Sequence, residues 1–313
     1  MLSIGWAIFN LIVYPGFIFS SILSLLLVWL NRKLTARFQW RIGPPFYQPF
    51  ADLGKLLVKE MIIPAGAIKP IFIIAPILSL SSVITVMLLI PLGLSETFLG
   101  LGQDLIVVIY LLLIPSLALI LGGSSSGNPY GSLGSSRKVT LVIAYELGMI
   151  ASFLSVAVGT GSLRLIDIVT SQIGWYCPLA AVAFFIVILA KTGMVPFDQP
   201  EAKTEIMGGA LAEYSGVGLG LFKLSNAILR LALVSLLVSL FFPGPFIGIL
   251  SMHPWDVLWH LIKVVIIYIL LSLVAAINSR LRIDQTLRFF WKYVFLLALI
   301  NLVIMIVYVF VWR

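Results

Sequence analysis

Apolar residues run through this chain in long stretches broken by short polar ones, without the two-residue alternation of half-buried strands. A helix that crosses a bilayer needs roughly 20 apolar residues, about 30 Å of hydrocarbon at 1.5 Å per residue. Eight stretches approach that length, at about 6–30, 70–93, 103–122, 139–160, 178–196, 215–241, 257–279 and 293–312. The fifth is the shortest and ends between Lys191 and Pro196. The pattern predicts one all-α integral membrane domain over residues 1–313, with eight transmembrane helices. Between the first two stretches, Tyr47–Glu60 sets Phe50, Leu53, Leu57 and nearby Leu56 on one helical stripe, with Asp52, Lys55 and Lys59 on the other side. That is the pattern of an amphipathic helix lying at the interface, in the first cytoplasmic loop. Gly43-Pro44-Pro45 is expected to end the first helix sharply. Gly122–Ser136, rich in glycine and serine, reads as a flexible loop.

Eight spans put both termini on one side, and loop charge orients them. The loops 31–69, 123–138, 191–214 and 280–292 carry fifteen of the 20 lysines and arginines. The alternate set carries only Arg164 and Arg313, while Lys223, Arg230 and Lys263 fall inside spans. Cytoplasmic loops collect Lys and Arg. The chain is therefore expected in the cell membrane, multi-pass, with both termini outside. The net charge of +8 follows from that topology and needs no nucleic-acid partner.

With 61% hydrophobic and 10% charged residues, the chain is not an ordinary soluble domain, and the lipid bilayer is its solvent. The N-terminus lacks a basic stretch before its apolar run, so it does not read as a cleaved signal peptide. Cys177, the single cysteine, makes no internal disulfide and cannot hold an iron–sulfur cluster, which needs about four thiolates. His253 and His260 lie near one loop and do not suit a haem clamped between helices. No phosphate loop or H-E-x-x-H motif is present. The chain is expected to carry no cofactor, metal or catalytic group, leaving aqueous chemistry to other chains.

Ionisable residues inside a membrane mark water, partners or protonatable paths. Pro196–Gly216 concentrates Asp198, Glu201, Glu205 and Glu213 in a chain with 12 acidic residues. Asp198 before Pro200 suits a helix N-cap, and an early glutamate suits a helix N-terminus. Neither role covers Glu205 and Glu213, which flank Gly208-Gly209 and lead into a span. Glu146 stands about seven residues into the fourth expected span, roughly 10 Å deep. A carboxylate there costs about 2.5–3.5 kcal/mol unless it is protonated, paired or hydrated, and it reads as a relay site. Lys223 and Arg230, seven apart on one face of the sixth span, are expected to pair with Glu146 or Glu213. Lys263, one turn from His260, reads as snorkelling to the outer interface. Arg32, Lys33, Arg37, Gln39 and Arg41 read either as a stop-transfer cluster or as a basic floor that docks a partner or ligand head group.

Several motifs stand in order: R-K-x-x-A-R-x-Q-x-R-x-G-P at 32–44, K-E-x-x-x-P at 59–64, A-P at 75–76, Y-E at 145–146, P-F-D-x-P-E-A at 196–202 and E-Y-S-G at 213–216. In these the chain resembles the membrane subunit that forms the heel of respiratory complex I. That family is shared with membrane-bound energy-converting hydrogenases and related ferredoxin-dependent, sulfur-reducing complexes. The resemblance implies a non-catalytic coupling subunit between cytoplasmic iron–sulfur and catalytic subunits and antiporter-like membrane subunits. Iron–sulfur clusters, and in some members nickel–iron, would sit in those partners. By motif, Arg41 and Asp198 belong to the coupling cavity, and Glu146, Glu201, Glu205 and Glu213 to a carboxylate path for H+ or Na+. Arg37, Gln39, Asp52 and Lys191 are assigned beside them to cavity and docking, and Lys223 and Arg230 to the path as its electrostatic partners.

Three acids of the family pattern are replaced, by Asn31, Lys191 and Lys203. The short connection from Pro45 into Phe46-Tyr47-Gln48 and the M-G-G-x-x-x-E-Y-S-G spacing look like the hydrogenase-type branch. The expected function is membrane anchoring and coupling in a ferredoxin-driven hydrogenase or sulfur reductase. The alternatives are a quinone-binding heel subunit of an NADH or ferredoxin:quinone oxidoreductase, and a stand-alone secondary transporter.

Overall fold

A computed structural model describes residues 9–92, 103–244 and 254–312. His253, Arg313 and the outermost residues of the first two expected spans lie outside the described residues. Among the described residues all regular structure is helical. In chain order the helices are α1 (Phe17–Phe38), α2 (Gln48–Val58), α3 (Lys69–Leu89), α4 (Asp104–Ser125), α5 (Pro129–Thr160) and α6 (Leu165–Ser171). They continue with α7 (Pro178–Lys191), α8 (Gly216–Phe241), α9 (Pro254–Ile277), α10 (Ile283–Phe289) and α11 (Phe295–Trp312). A π-helical turn, Phe290–Val294, joins α10 to α11. Lipid offers backbone groups no hydrogen-bond partner, so apolar stretches of this length close their bonds within a helix.

Seven helices among the described residues are long and apolar enough to cross a membrane. The fifth expected span is only the 14-residue α7, stopped by Thr192 and by Gly193 at φ 64°. It is packed between α5, α8 and α11. α8 is the most enclosed of the long helices and packs against α1, α2, α3, α7 and α9.

Two helix ends differ from expectation. α1 continues to Phe38, so Arg32, Lys33 and Arg37 are helical. It is closed before Gly43 by a turn in which Trp40 takes φ 57° and the Arg41 N–H donates to the Ala36 carbonyl at 2.7 Å. The glycine- and serine-rich segment is not a flexible loop. α4 runs to Ser125, and α5 starts at Pro129 behind an Asn128 cap whose side chain accepts from the Tyr130 N–H at 2.8 Å. Asn at the N-cap followed by Pro is a helix start. The small residues serve close packing: a Cβ on Gly134 would lie 2.4 Å from the backbone nitrogen of Ala210. Glu146 therefore sits near the middle of a 32-residue helix, not seven residues into one.

Candidate functional site

Between α1, α2, α8 and the segment after α7 lies a cavity of about 660 Å³ that opens to solvent. Seven cations line it, Arg32, Lys55, Lys59, Lys138, Lys191, Lys223 and Arg230, against two carboxylates, Asp52 and Glu201. The helical repeat explains the gathering. Lys223 and Arg230 are two turns apart on one face of α8, and Lys55 and Lys59 one turn apart on α2 and the residue capping it. The Arg32 guanidinium donates to Asp52 at 2.8 Å, and the Gln48 amide donates to the other oxygen at 2.9 Å. The Arg32 hydrogen bond, with Gln48 and the charges of Arg32 and Lys55, holds the Asp52 carboxyl below the usual carboxylate range against the upward push of desolvation.

Lys223 and Arg230 pair with neither Glu146 nor Glu213, contrary to expectation. The Arg230 Nη1 lies 3.4 Å from the Tyr268 hydroxyl, while its Nε is buried with no hydrogen-bond partner. Among the described residues neither cation has a carboxylate partner. Glu146 is held instead by Lys191, whose ammonium lies 3.3 Å from Oε2. The reason is proximity: Lys191 is the last residue of α7, which packs directly on α5. The Lys191 side chain is fully enclosed, 3.4 Å from the Met149 sulfur and above the Tyr145 ring. Tyr145 in turn bonds Ser116 at 3.0 Å. The buried Lys138 donates to the Lys191 carbonyl at 3.2 Å.

The acidic segment before α8 is clamped at several points. Asp198 pairs with Arg280 at 2.6 Å, and Glu205 pairs with Arg137 at 2.6 Å. Glu213 accepts from the Asn128 amide. The Leu281 N–H donates to the Pro196 carbonyl at 3.1 Å, and the Gln199 amide donates to the Leu281 carbonyl at 2.8 Å. The E-Y-S-G and K-E-x-x-x-P motifs meet, since the Ile62 N–H donates to Ser215 Oγ at 3.0 Å. Gly216, at φ 52°, has Glu60 O 2.3 Å from where a Cβ would be, so only glycine fits. Tyr214 stacks on Phe72 with centroids 4.0 Å apart and donates to its carbonyl at 3.0 Å, and burial pushes its phenol above the usual range.

Of the residues singled out in the sequence, Asp52, Lys191, Glu201, Lys223 and Arg230 line the cavity. Glu146 lies behind Lys191. Arg37, Gln39 and Arg41 lie outside the lining, as do Asp198, Glu205 and Glu213 in their own pairs. Lys55 and Lys59, read from the sequence as the polar side of the amphipathic helix, and Lys138, read only as a topology charge, belong to the lining. The Lys263 ammonium donates to the carbonyls of Phe242, at 2.9 Å, and Gly244, just past the C-terminal end of α8.

These features define a multi-pass helical membrane protein with a basic interior cavity. Residues 10–306 match the family described as NADH dehydrogenase, and the chain belongs to that family as a membrane subunit of the H type. It is 35% identical over 303 residues to the H-type NADH-quinone oxidoreductase subunit of Dehalococcoides mccartyi (strain CBDB1), covering 94% of this chain and 84% of that one. It is 34% identical over 307 residues to the corresponding NADH-quinone oxidoreductase subunit of Geobacillus thermodenitrificans (strain NG80-2), covering 94% and 90%. Among solved structures, it superposes with a TM-score of 0.82 on a chain of the membrane-bound sulfane sulfur reductase, an archaeal respiratory membrane complex. That match has 29% identity and covers 92% of this chain and 96% of that one.

Proposed function

We propose that this chain is the coupling subunit of a ferredoxin-driven respiratory oxidoreductase complex of the sulfur-reductase or hydrogenase type, in the cell membrane. It crosses eight times with both termini outside, and α2 lies along the inner interface. α7 makes the fifth crossing together with the residues that follow it, a short span tolerated because protein surrounds it on most sides. Iron–sulfur and catalytic subunits dock on the inner loops near Arg37, Gln39 and Arg41, and antiporter-like subunits pack beside the exposed aliphatic helix faces. The redox centres belong to those partners. Charge changes under the docked arm act on Asp198, Glu201, Glu205 and Glu213, and reach Glu146 through Lys191, with Lys223 and Arg230 tuning the path electrostatically.

The observation that carries this reading is the ion pair between Glu146 and the enclosed Lys191, with Lys191 also lining the charged cavity. A paired, titratable carboxylate in mid-membrane is the arrangement a proton or ion relay requires. Membership of a complex is supported by the likeness to the sulfane sulfur reductase and to the NADH-quinone oxidoreductase subunits. In the intact complex Glu146→Gln is expected to keep assembly and electron transfer while lowering ion translocation several-fold. The amide oxygen still accepts from Lys191, which also keeps Met149 and Tyr145. Undiminished translocation would remove Glu146 from the relay.

The names of the relatives, NADH-quinone oxidoreductases, and the size of the cavity favour a second reading, a bound quinone. Extractable quinone in the purified complex, or inhibition by quinone-site blockers, selects it over the first.

A further inference from the structure

The cavity carries more positive charge than its own walls compensate. Arg32 is matched by Asp52, and Lys191 by Glu146. That leaves Lys55, Lys59, Lys138, Lys223 and Arg230 facing Glu201. Lys138 is tied to a backbone carbonyl, which satisfies a hydrogen bond and leaves its charge. Arg230 keeps a buried Nε with no acceptor, and Lys223 has no carboxylate partner. Lys138 and the Nε of Arg230 are withdrawn from water, and a buried cation without counter-charge is costly. The walls between them are apolar, with Leu25, Val28, Leu53, Leu56, Phe222 and Leu224 interleaved.

We propose that the cavity binds an anionic amphiphile: a phosphate head group held by Lys223 and Arg230, carrying an alkyl chain that lies along α1 and α2. A phosphate supplies the negative charge that Lys223 and Arg230 lack as partner and forms charge-assisted hydrogen bonds of the strong kind with the Lys223 ammonium and the Arg230 guanidinium. A neutral head group, a quinone ring among them, would leave the cationic surplus unmatched. The volume of about 660 Å³ lies within the range of small-molecule sites, about 300–1,000 Å³. Solvent reaches Lys55, Lys59 and Lys223, so the site is open to entry.

The test uses the intact complex in detergent, stripped of lipid and resupplied with dioleoylphosphatidylglycerol or dioleoylphosphatidylcholine, with retained lipid counted by native mass spectrometry. The wild type is expected to retain the anionic lipid about tenfold more tightly than the zwitterionic one, the scale of a charge-assisted hydrogen bond. Lys223→Gln and Arg230→Gln each erase most of that preference. Arg230→Lys, which keeps the charge, restores part of it, and Lys263→Gln at the far end of α8 leaves it intact. Equal retention of the two lipids, or retention untouched by Lys223→Gln, overturns the proposal. Displacement of the lipid by millimolar inorganic phosphate, with phosphate binding that needs no chain, also overturns it and leaves a free-phosphate site. Retention is read without turnover, so this outcome is separate from whether Glu146 relays ions.

Discussion

The two ends of α8 hold cations in opposite ways. Just past its C-terminal end Lys263 reaches across from α9 and donates to the carbonyls of Phe242, the capping residue, and Gly244, where the helix dipole favours a cation. Its charge is absorbed by the fold. Toward the N-terminal half, Lys223 and Arg230 face a cavity with no carboxylate partner, and Arg230 carries an unmatched Nε. What separates these groups is the partner. A cation with an internal partner stabilises the helix packing around it. A cation without one is a place for something that is not part of this chain.

The sharpest way to break that distinction is to remove the most completely partnered cation. Lys191→Ala leaves the Glu146 carboxylate facing an empty position between α5 and α7. Breaking a buried pair from one side costs about 3–5 kcal/mol, so denaturant unfolding of the complex in detergent should show a large loss. The double variant Lys191→Met/Glu146→Leu replaces both charges with apolar groups of similar size and is expected to recover most of it. A stable single variant would mean that the pair does not hold α7 on α5.

A smaller loss is expected for Lys263→Gln. The amide retains donors but no charge for the α8 carbonyls, a change of about 1–2 kcal/mol for a cation at a partly buried helix C-terminus. Thermal unfolding should register it, while ion translocation stays at the wild-type level. Loss of translocation at normal stability would move Lys263 from scaffold to path.

Smaller again is the Arg32–Asp52 pair at the mouth of the cavity, whose side chains are 46% and 39% exposed. Exposed pairs contribute about 0–1 kcal/mol. The Asp52 carboxyl is held below its unfolded value, so its contribution is present above the unfolded pKa, about 3.9, and fades as pH falls through the lower folded value. The small thermal advantage of the wild type over Asp52→Asn should therefore hold at neutral pH, begin to shrink below about pH 4 and vanish once pH is below the folded value. An advantage that persists there would assign Asp52 a packing role.

Helix number and nature are largely legible in the sequence because lipid imposes length and apolarity on each long span. Helix ends are not. The stretch around Gly131 and Gly134 has the composition of a loop, yet small residues also let helices and turns touch at backbone distance, as Gly134 does at Ala210. The Asn128-Pro129 cap carries the correct signal, against the weight of the composition around it. Spacing on α8 reveals that Lys223 and Arg230 share a face, because two helical turns nearly equal seven residues. Their partners are not readable. Lys191 and Glu146 are 45 residues apart, and Arg137 and Glu205 are 68 apart, so only packing decides who meets whom. Lys138 reads as loop charge for the same reason: composition starts α5 too late.

The finest discrimination between the two ends of α8 comes from a change expected to do almost nothing. Lys223 is exposed to the cavity and has no carboxylate partner, so Lys223→Gln removes no ion pair within the chain. In lipid-depleted detergent its stability should match the wild type within about 0.5 kcal/mol, unlike Lys263→Gln, although both lose one lysine charge from a membrane helix. A ligand that binds only the folded state raises stability in proportion to its occupancy. Adding anionic lipid should therefore stabilise the wild type and leave Lys223→Gln behind, opening a gap absent before the addition. Were Lys223→Gln already destabilised without lipid, by as much as Lys263→Gln, then Lys223 would have a partner inside the fold and the two ends of α8 would differ only in place.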